Sequence, residues 1–274
     1  MLLDRLRRYF RNDLPRPPEP TAVLFAHGYL GALGRPYWIG CTRLIRDLEA
    51  RGIEVRVAQS GATDRIADRA RALAAELDRV RAPRVIVVAH SMGGLDARYL
   101  AAWLDPTRRI SDVITLGTPH RGTYAADLAH RLGPRLPALV RAVDQGGLHD
   151  LTREAARGFD AEMPDRADVR YRAIAGRIDP ASVPGPLQVL AQRLQRRQGD
   201  NDGLVPVSSA RWGETVVVDD ADHWSLIGLE WVAGPDLEAR VNRMLDGGKR
   251  PLSVLRGMLR ESLLLPRQPR PART

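Results

Sequence analysis

Apolar residues follow two rhythms that alternate along the chain. Short strand-like runs come at Thr21–Ala26, Val85–Val88, Ile110–Leu116, Val169–Ala175 and Thr215–Val218. Val85–Val88 is four β-branched residues in a row, which suits a strand covered on both faces, as in a parallel sheet. Ile53–Val57 alternates instead and reads as a half-buried strand. Between these runs the spacing turns helical. Trp38–Ala50 repeats Ile39, Leu44, Ile45 and Leu48, with Gly52 as its stop. Asp64–Val80 repeats Ile66, Ala70, Leu73, Leu77 and Val80. Leu95–Trp103, Leu187–Arg197 and Pro235–Leu245 complete the helical set. Strands alternating with helices predict an α/β fold: a mostly parallel, doubly wound sheet with helices on both faces.

One stretch breaks the alternation. Residues 123–165 carry no strand signal; Leu128, Leu132, Leu136, Leu139, Val140 and Val143 recur at helical intervals, broken by Pro134 and Pro137. Two or three short helices forming a cap are expected there, inserted within the domain. The organisation is therefore residues 1–20 as a basic amphipathic segment with a proline-rich linker, 21–246 as one domain, and 247–274 as a basic extension. The extension has an apolar stripe at Leu252, Leu255, Leu259 and Leu263, with disorder expected from Pro266.

Composition narrows the class. A chain of 274 residues with 44% hydrophobic content can bury a sizeable single core. No stretch approaches the roughly 18–20 apolar residues of a membrane span. Met1-Leu2-Leu3 runs straight into Asp4, Arg5, Arg7 and Arg8, which reads as no signal peptide. With the single Cys41, the expectation is the cytoplasm. The net charge of +9 raises nucleic acid as a partner. The basic residues are scattered, Lys249 is the only lysine, and no nucleic-acid module is recognisable, so that partner is set aside. Peripheral contact with an anionic membrane surface is a better use of the charge.

The chemistry centres on Arg84–Gly94, R-V-I-V-V-A-H-S-M-G-G. Ser91 stands between small residues two places before (Ala89) and two places after (Gly93). A serine on a sharp strand-to-helix turn needs this spacing, because strand and helix pass close together there. Such a serine also lies at a helix N-terminus, where free N–H groups favour developing negative charge. It needs a base. His223 follows the last core strand and reaches the same sheet edge, where active groups gather in such folds. His120, also after a strand, is a second candidate. His27 and His90 belong to turns, and His130 and His149 to the cap. The base needs an acid. Asp202, in the tight polar turn Asn201-Asp202-Gly203, is preferred, and Asp179 stays open. Asp222 adjoins His223 and suits a capping role. Two donors must hold an oxyanion: the N–H of Met92, and that of Tyr29 in the glycine turn His27-Gly28-Tyr29-Leu30-Gly31. No cofactor is needed.

These motifs jointly resemble one family, the bacterial triacylglycerol lipases of the α/β-hydrolase superfamily. Val23–Gly31 is similar to its oxyanion segment, Ala89–Gly94 to its nucleophile elbow, and Leu116–Thr123 to its segment before the lid. Asn201–Pro206 is similar to its acid turn, and Asp222-His223 to its histidine loop. The resemblance spans roughly Ala22–Leu229. It implies the α/β-hydrolase fold with a helical lid, and a serine carboxylester hydrolase with Ser91, His223 and Asp202 as triad and a lipid or small acyl ester as substrate. Many members bind calcium through an aspartate two places beyond the histidine; here that place is Ser225, which implies no such site. A thioesterase or acyltransferase would use the same triad. The non-enzymatic alternative is a lipid-binding protein on the same sheet.

Overall fold

The computed structural model of the protein describes residues 14–31, 35–133, 144–183, 185–229 and 251–269. Six strands form one sheet: β1 (Thr21–Ala26), β2 (Glu54–Val57), β3 (Arg84–His90), β4 (Ile110–Leu116), β5 (Arg170–Arg177) and β6 (Glu214–Asp219). They lie in the order β2-β1-β3-β4-β5-β6, every neighbour parallel. Parallel neighbours need crossovers, and the helices supply them. In chain order these are α1 (Thr42–Ala50), α2 (Ile66–Asp78), α3 (Gly93–Tyr99), α4 (Tyr124–Leu132), α5 (Arg153–Glu162), α6 (Pro186–Gln198) and α7 (Pro251–Leu264).

The central strands β1, β3 and β4 are buried at every position because the sheet is covered twice. Val23 and Phe25 of β1 with Ile86 and Val88 of β3 meet α1 and α7 on one face. Ala22, Leu24, Val85 and Val87 meet α2 and the end of α3 on the other. Successive side chains point to opposite faces, so an unbroken apolar run serves both cores. Each fully buried Leu, Ile or Val contributes roughly 1.5–3 kcal/mol of transfer free energy.

Two features depart from the expected pattern. The helix after β3 is α-helical only to Tyr99 and widens to a π-turn over Leu100–Leu104. Helix α7, in the extension, is built into the core: Leu255, Leu259 and Leu263 are buried against the sheet face shared with α1. Past it, Arg267 donates to Glu19 Oε1 at 3.1 Å, which ties 251–269 to the start of β1. Of the cap, α4 and α5 and a helical turn at Gly147–Asp150 are present. The amphipathic start at 1–11, the middle of the cap at 134–143 and the helix expected at 235–245 lie outside the described residues.

Candidate active site

Ser91 sits between the end of β3 and the start of α3. Its φ is 53°, in the left-handed region where a residue with a Cβ costs roughly 1–2 kcal/mol. Strain of this kind persists only where surrounding structure enforces it. Here the Ser91 N–H donates to Leu116 O at 2.9 Å, extending the β3–β4 pairing by one residue. The close passage beneath requires small residues. A Cβ on Gly93 would meet the carbonyl oxygens of Ala26 and His27 at 2.6 Å, and one on Gly94 would overlap the Thr118 side chain. Ser91 itself is half-buried, and its hydroxyl makes no hydrogen bond to another described residue.

His223 and Asp202 form a pair at the same edge of the sheet, in loops that follow β6 and β5. His223 Nδ1 lies 2.8 Å from Asp202 Oδ2. A carboxylate only accepts, so the hydrogen resides on Nδ1 and Nε2 keeps its lone pair. The backbones are joined as well, His223 N–H donating to Asp202 O at 2.9 Å. The other carboxylate oxygen, Oδ1, accepts from the N–H groups of Leu204 (3.0 Å) and Val205 (2.7 Å). The Asn201-Asp202-Gly203 turn thus fixes one oxygen and leaves the other for the imidazole. Asn201 holds the turn, its Oδ1 accepting from Gly203 N–H at 2.9 Å. Glycines make room: a Cβ on Gly117, just after β4, would stand 2.9 Å from Asp202 Oδ2 and 3.1 Å from His223 Nδ1.

The turn after β1 faces Ser91 closely. A Cβ on Gly28 would lie 2.7 Å from Ser91 Cβ. The Gly28 carbonyl is held from three sides: by His27 Nδ1 at 2.8 Å, Gly31 N–H at 3.2 Å and Arg69 Nη2 at 3.3 Å. His27 Nε2 accepts from Ser60 N–H at 3.2 Å, so Nδ1 is the protonated nitrogen. Burial, reinforced by the Arg69 charge, pushes the His27 imidazole down to about 4 and keeps it neutral. In a trans peptide the N–H points opposite to the preceding carbonyl. Pinning Gly28 O therefore aims the Tyr29 N–H the other way. The N–H groups of Tyr29 and Met92 donate to no acceptor among the described residues. Arg69, fully buried, is paired with Asp96 of α3 at 2.8 Å. The Tyr29 hydroxyl donates to Asp144 Oδ1 at 2.9 Å and so ties this turn to the cap.

The remaining candidates are elsewhere. Asp179 caps a short 3₁₀ turn, its Oδ1 accepting from Ala181 N–H at 2.9 Å. Asp222 caps the turn after His223 by accepting from Trp224 and Ser225 N–H. His120 is buried against Thr115 and the Trp212 ring. His130 and His149 face each other in the cap at a ring separation of 5.4 Å. No group of three or more His, Cys, Asp or Glu among the described residues could hold a metal ion.

Sequence reasoning left out Tyr37 and assigned His90 only to the elbow turn, and the structure brings both here. Tyr37 Oη lies 2.5 Å from His90 Nδ1, and His90 Nε2 lies 2.8 Å from His223 O. Gly28 N–H donates to Tyr37 Oη at 3.2 Å. No local pattern announces contacts across such separations in sequence.

Comparison with known proteins settles the ancestry. The sequence profile of the alpha/beta hydrolase family matches residues 23–241. The chain belongs to this family. Triacylglycerol lipase 2 of Saccharomyces cerevisiae is 30% identical over 216 residues, 73% of this chain and 64% of that protein. A triacylglycerol lipase of Pseudarthrobacter phenanthrenivorans is 37% identical over 116 residues, 38% of this chain and 35% of its own. The chain thus spans less than two thirds of either relative. Among solved structures, the mature form of a Bacillus licheniformis lipase superposes with a TM-score of 0.64 at 24% identity, covering 84% of this chain and 94% of that one. This member of the alpha/beta hydrolase family therefore shares its fold with that lipase.

Proposed function

We propose that this alpha/beta hydrolase is a serine carboxylester hydrolase of the lipase and esterase kind, acting on acyl esters of lipids. The observation that carries the reading is the His223–Asp202 pair, 2.8 Å apart, at the same sheet edge as a serine in a strained left-handed turn. A free serine hydroxyl is a weak nucleophile and needs such a base. Ser91 Oγ attacks the acyl carbonyl carbon while its proton passes to His223 Nε2. Asp202 holds the imidazole in the required tautomer and offsets the imidazolium charge. The tetrahedral oxyanion accepts from Met92 and Tyr29 N–H, each donor worth roughly 3–4 kcal/mol. The C–O bond to the alcohol then breaks, the alkoxide takes the proton from His223, and an acyl-serine remains. Water, deprotonated by the same nitrogen, attacks the acyl carbon; the bond from that carbon to Ser91 Oγ breaks, Oγ takes the proton back from His223, and the acid is freed.

The relatives named triacylglycerol lipases support an acyl ester of a lipid as the substrate class. A chain-length series of chromogenic esters, on wild type and Ser91→Ala, tests the reading. Hydrolysis of at least one ester is expected, falling by several orders of magnitude in the variant. Matched thioesters and an added alcohol acceptor separate hydrolysis of oxygen esters from thioester cleavage and acyl transfer. No turnover of any acyl ester, or equal turnover by Ser91→Ala, would overturn it.

A further inference from the structure

His90 is a buried imidazole that the catalytic scheme does not use, although it precedes Ser91 in sequence and its ring lies 4.6 Å from that of His223. Its hydrogen bonds have a determinable direction. Nε2 faces the His223 backbone carbonyl at 2.8 Å, and a carbonyl only accepts, so Nε2 carries the hydrogen. Nδ1 then has a lone pair and must accept from the Tyr37 hydroxyl at 2.5 Å. Tyr37 Oη, its proton committed, accepts from Gly28 N–H at 3.2 Å. Every link has one possible sense: Gly28 N–H to Tyr37, Tyr37 O–H to His90, His90 N–H to His223. Through Tyr37, in the 3₁₀ segment Arg35–Cys41, the hydrogen bonds link three other segments, namely the turn after β1, the end of β3 and the loop after β6.

We propose that His90 and Tyr37 are positioning residues that hold the oxyanion turn, the nucleophile elbow and the histidine loop in one register. The inference rests on the hydrolase reading of Ser91 and His223. Neither residue touches the reacting atoms, and neither relays a proton to Ser91. The arrangement works only with a neutral His90. A cation there would stand against the imidazolium that forms on His223 during reaction, and would lose the lone pair that Tyr37 needs. Burial, with His223 nearby, holds His90 well below the ordinary 6.5. Tyr37, Trp38 and Trp224 pack around its ring and bring no charge. Asp202 and Asp222 face His223, and His27, its ring 5.7 Å from that of Tyr37, and Arg69 lie toward Tyr37. Misplacing reacting groups by about 1 Å can cost about a hundredfold in rate. A loss of register among these three segments is a displacement of that kind.

The test uses Tyr37→Phe, His90→Leu and His90→Gln in the full chain, with active sites counted by a phosphonate ester that labels the serine. Tyr37→Phe removes one oxygen and keeps the ring contacts, so it remains informative if His90→Leu fails to fold. On a short soluble ester, Tyr37→Phe is expected to lose about tenfold to a hundredfold in kcat per labelled site, with KM within about twofold. His90→Gln, whose amide can still donate to the His223 carbonyl, should recover part of the loss seen in His90→Leu. In parallel, nitrogen NMR of labelled wild type should show His90 as the neutral Nε2–H tautomer between pH ~5.5 and 8. A kcat per labelled site within about twofold of wild type in Tyr37→Phe, a change confined to KM, or a His90 that titrates near ~6.5 overturns the proposal. Wild-type protein that neither turns over esters nor accepts the phosphonate would instead overturn the hydrolase reading, and the tautomer measurement would still judge the hydrogen-bond chain.

Discussion

Asp202 illustrates how much one residue can be asked to do. Its N–H, its C=O and both carboxylate oxygens are all engaged: two backbone donors on Oδ1, the His223 ring on Oδ2 and the His223 N–H on its carbonyl. Asp202→Asn keeps the shape but can present an amide N–H where Oδ2 accepts. That favours the wrong imidazole tautomer, with the lone pair on Nδ1 and not on Nε2. The expected cost is about 10³- to 10⁴-fold in kcat with near-normal stability, read by ester kinetics alongside thermal unfolding. Activity within tenfold of wild type would count against Asp202 as the orienting acid. At this scale the sequence was informative wherever chemistry is local. Ala89-His90-Ser91-Met92-Gly93, His27-Gly28 and Asn201-Asp202-Gly203 each carry their geometry in consecutive residues. It did not reveal the contacts of Tyr37, His90 and Arg69, because their partners are distant along the chain and their types also suit an ordinary core.

Among the elements, α7 shows where pattern reading stops. Its apolar stripe is visible, but a stripe does not say what it packs on. Burial of Leu255, Leu259 and Leu263 places it on the core face, and a polar cluster fixes its end. Arg84 donates to the Ser262 and Leu265 carbonyls at the helix C-terminus, at 2.6 and 2.9 Å. Asp112 of β4 then balances Arg84, Arg170 and Arg172, each at 3.2 Å. It also accepts from the Ser262 hydroxyl at 2.7 Å. Removing this carboxylate leaves Arg84 and Arg172 buried without their shared counter-charge. Asp112→Ala should therefore destabilise by about 3–5 kcal/mol, a large part of a typical domain's stability. Urea unfolding measures it, and a loss under about 1 kcal/mol would mean that the cluster is solvated or re-pairs.

For the whole molecule, the charge acquires a meaning that composition does not supply. Arg69, Arg84, Arg98 and Arg172 are among the largest fully buried side chains, paired with Asp96, Asp112, Asp160 and Asp112. A net charge of +9 is a count over the chain, and this share of it faces inward. Burial also sets the response to acid. It holds His27 at about 4 and keeps His90 and His120 well below 6.5. As pH falls from about 6.5 toward about 4, the unfolded chain gains protons at these three places that the folded chain does not, so stability falls. Asp96 opposes the trend, since burial raises it to about 7 against the pull of Arg69. Between about 7 and its ordinary 3.8, the folded chain holds a proton there that the unfolded chain lacks. Three imidazoles against this one carboxyl leave the excess of bound protons on the unfolded side across this window. Urea midpoints should drop steadily from pH ~6.5 to 5. Constant or rising midpoints would mean that these imidazoles are already charged in the folded state.

The central claim is that the oxygen of Ser91 becomes covalently bonded to substrate, driven by His223. Intact-mass and peptide mass spectrometry after treatment with an alkyl phosphonate ester tests it directly, because the reagent imitates the tetrahedral adduct and stays attached. One adduct per chain, mapped to Ser91, is predicted, with none in Ser91→Ala and labelling slowed by at least about a hundredfold in His223→Gln. An adduct on another residue, or equal labelling rates in wild type and His223→Gln, would contradict it.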